Sequence, residues 1–390
     1  MRRRIFLTGA AAVVGAAAVS ACGNGNQQGA PASASGGALT IKDVADRTVT
    51  LDAAPSKIIL GESRQAFSLL FLQKENLLDK VVAWGTDMQT AAPDVFERVE
   101  KVQSKASSIP TVGSVAKGDL SVENLLEHSP DLFLMTLDQY DAAKQAGFDA
   151  KLDSAQIPYL VTDFRRKPVE NTHTSVTLLA QAFGVEDKGK EFLAYYDSLV
   201  NPVTAAAKAR PESERPVTFV WRAPGLQAPG STFGNSNFGQ IVAASGGTNL
   251  GTSLLDSDSG TLTTEQLIAS QPKIIIATGG DWGKQKKNDK AGTSYVELGY
   301  NATAEAANQT LSQLSSETGY SELKAISEKQ VYGIYHQFYD APFNFLAYVA
   351  FAEWQGLKVE GLPDANAAWT EFHDKFMPFK AEGVFAAKMS

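Results

Sequence analysis

Arginine and aromatic side chains recur at the ends of predicted β-strands along this sequence. Arginine provides planar, permanently charged donors for carboxylate, hydroxamate or phenolate oxygens, and aromatic rings provide apolar faces that attract cations. Together these groups suit a bulky anionic or chelate ligand about the size of a drug molecule. The arginines that lie one to three residues past a strand are Arg64, Arg165, Arg166 and Arg222, and the aromatic residues in comparable places are Trp84, Trp221, Trp282 and Tyr339.

Several of these side chains also have ordinary structural explanations. Trp84 and Trp221 lie within or at the last position of their predicted strands, where a core residue is equally expected. Arg165 and Arg166 are also typical of solvated surface charge, and we expect at most one of the two to face a ligand. The predicted ligand contacts are Arg64, Trp84, Arg165, Arg222, Trp282, His336 and Tyr339.

The stretch YHQFYDAPFNF, residues 335–345, places a histidine, an acid and several aromatic rings just after a predicted strand. Pro342 suits the first turn of a following helix, so Phe345 should begin a core-facing helical stripe. His336 and Tyr339 precede that helix and should face the ligand. The alternative for His336 is a loop histidine whose hydrogen bonds are satisfied within the protein.

The sequence lacks the motifs of common catalytic sites. GESRQ (61–65) and GNSNF (234–238) lack the second glycine of a nucleophile elbow, and no G-x-G-x-x-G opens a helix after a strand. GGDWGKQ (279–285) is one residue short of a phosphate-binding loop and lacks its Ser or Thr. Three of the four histidines fall in predicted helices, away from any converging metal ligands. We therefore predict a protein that is not an enzyme, with no cofactor and no directly bound metal.

Short apolar runs alternate with helical patterns through most of the chain, which predicts parallel sheets built from β-α-β units. The predicted strands are KIILG (57–61), KVVAWG (80–85), DLFLMT (131–136) and PYLVTD (158–163), then VTFVW (217–221), KIIIAT (273–278) and VYGIYH (331–336). Helices are expected near 64–76, 120–129, 140–153, 169–184, 236–245, 263–270, 302–315 and 343–356, and a helical segment at 367–379 closes the chain.

Residues 186–210 keep helical periodicity without a strand signal, and Pro202 marks the place where this helix could kink. The segment separates the two series of strands and helices. The predicted fold class is therefore α/β, with two Rossmann-like lobes of mostly parallel sheets joined by a single long helix.

An internal repeat supports two related lobes. LSVENLLEHSPDLFLMT (120–136) and LTTEQLIASQPKIIIAT (262–278) align without a gap at an offset of 142 residues. Each segment predicts a Ser or Thr helix cap, an acid in the first turn, an apolar stripe, a proline and a buried parallel strand. Because the repeat occurs at matching places in both series, it predicts duplicated lobes.

Two such lobes leave a cleft between them. In open parallel sheets, ligands bind beyond the carboxyl ends of the strands, where the loops part. That rule selects the loops at 61–65, 84–88, 111–114, 136–140 and 163–166 in the first lobe, and at 221–225, 278–282 and 336–340 in the second.

The N-terminal segment MRRRIFLTGAAAVVGAAAVSAC has the pattern of an export signal. Arg3 and Arg4 fit a twin-arginine signal, and residues 19–22 resemble a lipobox in which Cys22 is lipidated after cleavage. A transmembrane anchor is the alternative, but the run carries seven alanines and two glycines and is less apolar than a spanning helix. The predicted division is a signal peptide at 1–21, a lipidated flexible tether at 22–38, a first lobe at 39–185, a connecting helix at 186–210 and a second lobe at 211–390.

Composition sets further limits on the partners. The 390 residues, 44% hydrophobic and 20% charged, suit two folded lobes and exclude wholesale disorder. Cys22 is the only cysteine, which excludes disulfides and cysteine-bound metals in the body of the chain. Cleavage after residue 21 removes three arginines and leaves 32 basic against 43 acidic residues, a formal charge of −11. A nucleic-acid partner is not expected at that charge.

These features together resemble the ABC-transporter solute-binding lipoproteins of the helix-hinged class (class III), in the ferric-siderophore or iron-complex branch. The likeness covers roughly residues 40–380; its single motifs are loose, but their order is specific. The segments that carry it are DRTVTLDAAPSKIIL (46–60), IPTVGS (109–114), LSVENLLEHSPDLFL (120–134), DFRRKPVENTHTSVTLLAQAFG (163–184), TFGNSNFGQIVAASGGTNL (232–250) and HQFYDAPFNFLAYVAFAEW (336–354).

The resemblance implies a monomeric receptor that captures a ferric siderophore or related iron chelate and delivers it to an ABC permease and its ATPase. It implies anchoring on the extracytoplasmic face of the cell membrane through lipid on Cys22. Glutamates at equivalent helix starts dock such receptors on the permease, and Glu123 and Glu265 match them here. The alternative for both is a carboxylate favoured by the helix dipole, worth ~0.3–1 kcal/mol.

Two other functions stay open. A haem or cobalamin receptor of the same transporter class would use His336 or Tyr339 as an axial ligand. A surface-anchored enzyme or an adhesion module belongs to a different class and would show turnover, or tight protein binding without a small ligand. If the ligand is an iron chelate, Arg64 and Arg222 are the first expected ligand contacts.

Overall fold

The computed structural model of this chain contains two mostly parallel β-sheets with helices packed on them, in the described residues 38–75, 77–282 and 294–390. The predicted signal peptide, Cys22 and residues 22–37 of the predicted tether lie outside the described residues. Within the described residues, no helix is both long enough and apolar enough to cross a membrane.

The first sheet consists of buried apolar strands, as expected for parallel strands covered on both faces. Its strands are β3 (Ile58–Leu60), β4 (Val81–Trp84), β5 (Leu132–Thr136) and β6 (Tyr159–Thr162), preceded by an antiparallel hairpin of β1 (Leu39–Lys42) and β2 (Thr48–Leu51). The helices of this half are α1 (Ala66–Leu72), α2 (Asp87–Ala91), α3 (Pro93–Val102), α4 (Val122–Leu126), α5 (Leu137–Ala146), α6 (Phe148–Ser154) and α7 (Pro168–Phe183). All pairings in the order β4-β3-β5-β6 are parallel.

A single helix, α8 (Glu186–Ala209), connects the two halves and continues through Pro202. It buries a stripe that includes Phe192, Tyr196 and Val203 against both halves. The observed bounds of this helix therefore agree with the predicted range of 186–210 to within one residue.

The second sheet is parallel except at one edge. Its half contains β7 (Val217–Trp221), β8 (Ser231–Phe233), β9 (Thr248–Asn249), β10 (Ser259–Thr261), β11 (Ile274–Gly279), β12 (Val331–Tyr335) and β13 (Ala386–Lys388), with helices α9 (Asn237–Ala244), α10 (Leu250–Leu254), α11 (Thr264–Ser270), α12 (Ala304–Gln313), α13 (Lys324–Ser327), α14 (Phe345–Trp354) and α15 (Ala365–Phe376). The sheet order is β13-β12-β11-β7-β9, and only β13 runs antiparallel to its neighbour. The predicted α/β class with mostly parallel sheets is confirmed.

The internal repeat is present in the structure down to the backbone angles. Ser121 and Thr263 cap α4 and α11, and each forms a reciprocal capping box with the residue three positions on. Ser129 and Gln271, 142 residues apart, both adopt positive φ, 48° and 42°, just before the proline that precedes the strand. The two segments therefore share one conformation as well as one pattern.

Three local predictions need correction. The helix expected at 140–153 is two helices, because Gly147 adopts φ 63° and ends α5. The chain does not close on a helix, since β13 returns to the sheet edge after α15. The hairpin of β1 and β2 was not predicted. The described residues from 38 onward form one compact unit, and the division into 39–185, 186–210 and 211–390 stays a prediction.

A buried amide fixes the connecting helix to both halves. Asn344, at the start of α14, is fully buried; its Nδ2 donates to Thr172 Oγ1 on α7 at 3.0 Å. Its Oδ1 accepts from the Tyr196 hydroxyl on α8, also at 3.0 Å. The three helices therefore share one hydrogen-bonded amide in an otherwise apolar contact.

We expect Asn344→Ala to lower the free energy of unfolding by about 2 to 3 kcal/mol, because the buried Tyr196 hydroxyl loses its acceptor. Asn366→Ala on the exposed face of α15 is the matched control and should stay within about 0.5 kcal/mol of the wild type. Urea unfolding followed by circular dichroism measures both. Equal stability of the two variants would contradict this role for Asn344.

Candidate functional site

Loops that follow strands of both sheets meet in one network of charged and aromatic side chains. After β3 the chain turns at Gly61, where a Cβ would lie 2.6 Å from Gln139 Oε1 and 2.9 Å from the Leu134 carbonyl oxygen. The 3₁₀ turn that follows is tied to the next loop, because the Ser63 N–H and hydroxyl both donate to Asp87. This packing fixes the direction of the Arg64 side chain.

Arg64 is buried and is held by groups from both halves of the chain. Its Nε donates to Asp87 Oδ2 at 2.7 Å, and its Nη2 lies 3.3 Å from Glu62 Oε2. From the second half, Tyr339 Oη accepts from Nη1 at 2.7 Å and Asp340 Oδ2 lies at 3.1 Å. Burial alone would raise the pKa of Asp87, but Arg64 and the hydrogen bonds from Ser63 together outweigh burial and hold that pKa below its usual value.

Arg165, which follows β6, forms a second set of ion pairs with some of the same acids. Its Nε donates to Asp340 Oδ1 at 3.1 Å, and its Nη2 contacts both Asp340 and Glu62. Nη1 lies 3.2 Å from Asp138 Oδ2. Burial raises the pKa of Glu62 and of Asp138, and the charge of Arg165 opposes both rises.

Asp340 is the acceptor that the two arginines share. Its side chain is 5% exposed and accepts a two-pronged contact from Arg165 while lying against Arg64. Arg64 and Arg165, both predicted ligand contacts, therefore face inward and are paired with carboxylates of the adjoining loops. The alternative of solvated surface charge does not describe Arg165, whose side chain is 18% exposed.

Arg166 takes a different direction from Arg165. It pairs with Asp141 in the first half, and its Nε and Nη2 both lie 3.1 Å from Asp258 Oδ2 in the second half. The Arg166 Nε also lies 3.6 Å from Asp138 Oδ1, so Asp138 is shared by the two adjacent arginines.

His336 and Tyr339 pack against each other next to this network. Their rings lie 4.4 Å apart, and Trp282 meets the His336 ring edge-on at 5.3 Å. His336 Nδ1 lies 2.9 Å from Thr278 Oγ1, at the end of β11. Burial lowers the pKa of His336 well below its usual range, and Arg222 adds to that effect, so the imidazole is neutral at physiological pH.

Arg222 differs from the other predicted arginines. Among the described residues its guanidinium forms no salt bridge, and it lies 5.2 Å from the centre of the Phe233 ring. Burial lowers the pKa of Arg222, and the nearby Tyr339 partly opposes that decrease. Arg222 is therefore a half-buried cation beside the aromatic pair, with its donors uncommitted to acids in the described part of the chain.

The predicted tryptophans lie deeper than expected. Trp84 is 1% exposed and packs with Phe96 in the core, so it presents no surface to a ligand and we do not retain it as a contact. Trp282 is also buried; its Nε1 donates to the Pro224 carbonyl oxygen at 3.0 Å, and its ring supports His336. Trp282 is therefore a buried residue that packs against the His336 ring.

A cavity of about 350 Å³ opens among three of the predicted loops of the first half. Glu62, Arg64 and Asp87 line one side, and Lys117 and Asp119 line another. The loops at 61–65, 84–88 and 111–114 thus form a common concave surface beside the ion-pair network. In the part of the chain that the structure covers, no group of three or more His, Cys, Asp and Glu side chains is arranged to hold a metal ion.

Glu123 and Glu265 occupy matching positions at the second residue of α4 and α11. Both side chains are exposed. Hydrogen bonds to the helix start, first to the backbone and then to Ser121 or Thr263, lower the pKa of each glutamate. The repeat therefore presents two ionised carboxylates in the same local geometry.

A scan against protein families finds a match to the family described as periplasmic binding protein over residues 75–337. This range is well over half of the chain. The chain belongs to the periplasmic binding protein family. Members of this family are extracytoplasmic solute-binding proteins. A comparison with curated proteins found no match.

Solved periplasmic binding proteins share the fold. The TroA-like periplasmic binding protein FepB from Veillonella parvula has a TM-score of 0.78 at 23% identity, over 90% of this chain and 99% of its own. The heme-binding protein RhuT from Roseiflexus sp. gives 0.51 at 16% identity, over 77% and 99%. A protein of an ABC-type Fe3+-hydroxamate transport system from Saccharomonospora viridis gives 0.52 at 17%, over 82% and 99%. At these sequence identities the comparisons show a shared fold alone.

Sequence reasoning missed the acids of this periplasmic binding protein's cleft. Glu62, Asp87, Asp138 and Asp340 all lie within the predicted strand-end loops, next to the arginines that were singled out. Their presence in those loops was a usable signal. Asn237 was also missed; it adopts φ 54°, and its Nδ2 donates to the Arg165 carbonyl oxygen at 3.0 Å.

A second contact between the halves is built on a buried acid of α3. Asp94 is 1% exposed, and its carboxylate accepts from the Tyr300 N–H and the Tyr335 hydroxyl, each at 2.9 Å. Burial raises the pKa of Asp94 to about 6, against these hydrogen bonds. The folded protein therefore binds a proton here more tightly than the unfolded chain does between about pH 4 and pH 6.

We expect the stabilising effect of protonated Asp94 to be lost as the pH rises through this window, by about 3 kcal/mol. His373, whose pKa burial lowers to about 4, and His336 act in the opposite direction, so the wild type alone hides this effect. The measurement is the difference in unfolding free energy between wild type and Asp94→Asn from pH 4 to pH 7, in which the histidine effects cancel. A difference that stays constant with pH would contradict the assignment.

Proposed function

We propose that this protein is the substrate-binding component of an ABC importer that captures a ferric siderophore or related iron chelate outside the membrane. The observation that supports the proposal is the meeting of strand-end loops from both halves, where Tyr339 of the second half accepts a hydrogen bond from Arg64 of the first half and packs against His336. The Tyr339 and His336 rings offer apolar faces to a chelate, and Arg222 offers donors to its oxygens.

The proposal extends to anchoring and delivery. The export signal at 1–21 and the lipobox favour lipidation of Cys22, followed by a flexible tether and a monomeric receptor on the extracytoplasmic face. The paired carboxylates Glu123 and Glu265 would contact basic residues of the permease, and the permease and its ATPase would complete the transport. Retained ligand contacts are Arg64, Arg165, Arg222, His336 and Tyr339, with Trp282 in support.

The test of ligand class is a tryptophan-fluorescence titration of the purified protein. The panel contains a ferric hydroxamate, a ferric catecholate, ferric citrate, haemin and cobalamin. Saturable quenching by a ferric chelate supports the proposal. A Soret band and tight binding of haemin alone would replace it by a haem receptor, with His336 or Tyr339 as the axial ligand. Turnover of a substrate, or binding of partner proteins without any small ligand, would overturn both the iron-chelate receptor and the haem receptor.

We expect Arg222→Ala to weaken the chelate that binds best by roughly 1.5 to 3 kcal/mol, or about ten- to hundredfold in Kd, because a charge-assisted donor is lost. Arg222→Lys is the matched control: it keeps the charge and should lose less affinity. Arg64→Ala is a poorer probe, since it leaves the carboxylate of Asp87 without its arginine partner. Unchanged affinity in Arg222→Ala, at an unchanged melting temperature, would remove Arg222 from the site.

We expect the double variant Glu123→Lys, Glu265→Lys to bind the chelate with wild-type affinity and to lose permease-dependent iron uptake in cells. Charge reversal at both exposed positions would repel the basic partner, while the cleft is untouched. Glu127→Lys, an exposed acid on the same loop–helix segment without a counterpart in the repeat, is the control and should support uptake. Normal uptake by the double variant would leave only the helix-dipole role for the two glutamates.

A further inference from the structure

The charges that meet at the cleft do not favour an anion. In the described residues, three guanidinium groups pair with six carboxylates in this network, and Arg222, which lies beside it without a salt bridge, brings the net formal charge to −2. Even with Glu62 protonated, carboxylate charges still outnumber guanidinium charges. The carboxylates are Glu62, Asp87, Asp138, Asp141, Asp258 and Asp340.

This neutralisation does not depend on contact between the two halves. Arg64 keeps Glu62 and Asp87 from its own half, and Arg165 keeps Glu62 and Asp138. If the halves separate to admit a ligand, the only ion pairs of this network that are broken among the described residues are those with Asp340 and Asp258. Arg64 and Arg165 would therefore already be paired with a carboxylate of their own half when a ligand arrives.

Arg222 is the exception in the described residues, and it supplies a single charge. One half-buried guanidinium beside a neutral imidazole and a tyrosine can donate hydrogen bonds to oxygens of a chelate. It cannot balance three negative charges on a ligand that also approaches Asp340 and Asp138. The part of the site that the structure describes is therefore suited to oxygen-rich ligands of low overall charge.

Iron chelates differ in charge by their chemistry. Three hydroxamate groups, each with one negative charge, neutralise Fe(III), whereas three catecholates, each with two, leave three negative charges on the complex. Resting on the proposed function, we infer that the cleft selects ferric chelates of zero or positive net charge, of the tris-hydroxamate class, over trianionic tris-catecholates.

The test compares three probes with the purified protein: ferrichrome, a neutral hydroxamate; ferrioxamine B, a hydroxamate with one positive charge; and ferric enterobactin, a trianion. We expect both hydroxamates to bind at least about tenfold more tightly than the trianion at low salt. The deficit of the trianion should shrink as added salt screens the repulsion, while ferrichrome affinity stays nearly constant. Equal or tighter binding of ferric enterobactin would overturn the inference.

A charge variant separates electrostatic selection from fit. Asp138→Asn removes a half-exposed carboxylate without touching the contacts between the halves, and it should improve ferric enterobactin binding relative to ferrichrome by about threefold or more. Asp153→Asn, exposed on α6 away from the network, is the control and should leave the ratio unchanged. An unchanged ratio in Asp138→Asn would also count against the inference.

The two proposals fail in different ways. If none of the three ferric complexes binds, the proposed function itself is overturned. If the trianion binds best, the receptor stands and only the charge selection is wrong.

Discussion

The contact between Asp340 and two arginines determines how the cleft of this protein is built. A buried carboxylate needs charged partners, because desolvation would otherwise expel or neutralise it. Arg64 and Arg165 meet that need from the opposite half, and each is in turn held by acids of its own loops. The side-chain directions of both arginines, and the position of Tyr339 between the halves, follow from this arrangement.

The two halves are thus joined in two places by different interactions, apolar packing in one and ion pairs in the other. At the back, the long helix α8 packs through aromatic rings and shares the buried amide of Asn344 with its neighbours. At the front, ion pairs and the buried Asp94 link loops that are distant in sequence. Apolar packing against a continuous helix is stiff, whereas salt-bridged loops can exchange partners. Motion between the halves should therefore be small and concentrated at the charged edge.

Much of this architecture could be predicted because it follows from local patterns. Apolar strands flanked by helical periodicity define the sheets, and the repeated capping segments place the starts of α4 and α11 to within two residues. The rule that ligands bind at strand ends selected loops whose side chains meet in one ion-pair network. It could not say that Trp84 points into the core, because a strand-end position leaves the side chain's direction undecided.

The partners of the arginines were beyond local reasoning. Asp340 meets Arg165 across 175 positions of the chain, and Glu62 contacts both arginines only because two loops converge. Residue type predicts that an arginine is charged but not whether that charge is already neutralised. The split at Gly147 is a smaller case, since helical periodicity continued across a residue whose φ is positive.

The segments around Glu123 and Glu265 share one helix-start geometry. Under the proposed docking, two carboxylates in the same local setting would offer equivalent contacts, so these two points alone would allow a symmetric partner to bind the protein in either of two opposite directions. A single binding direction would therefore have to be set by elements that only one half contains, such as the antiparallel edge strand β13.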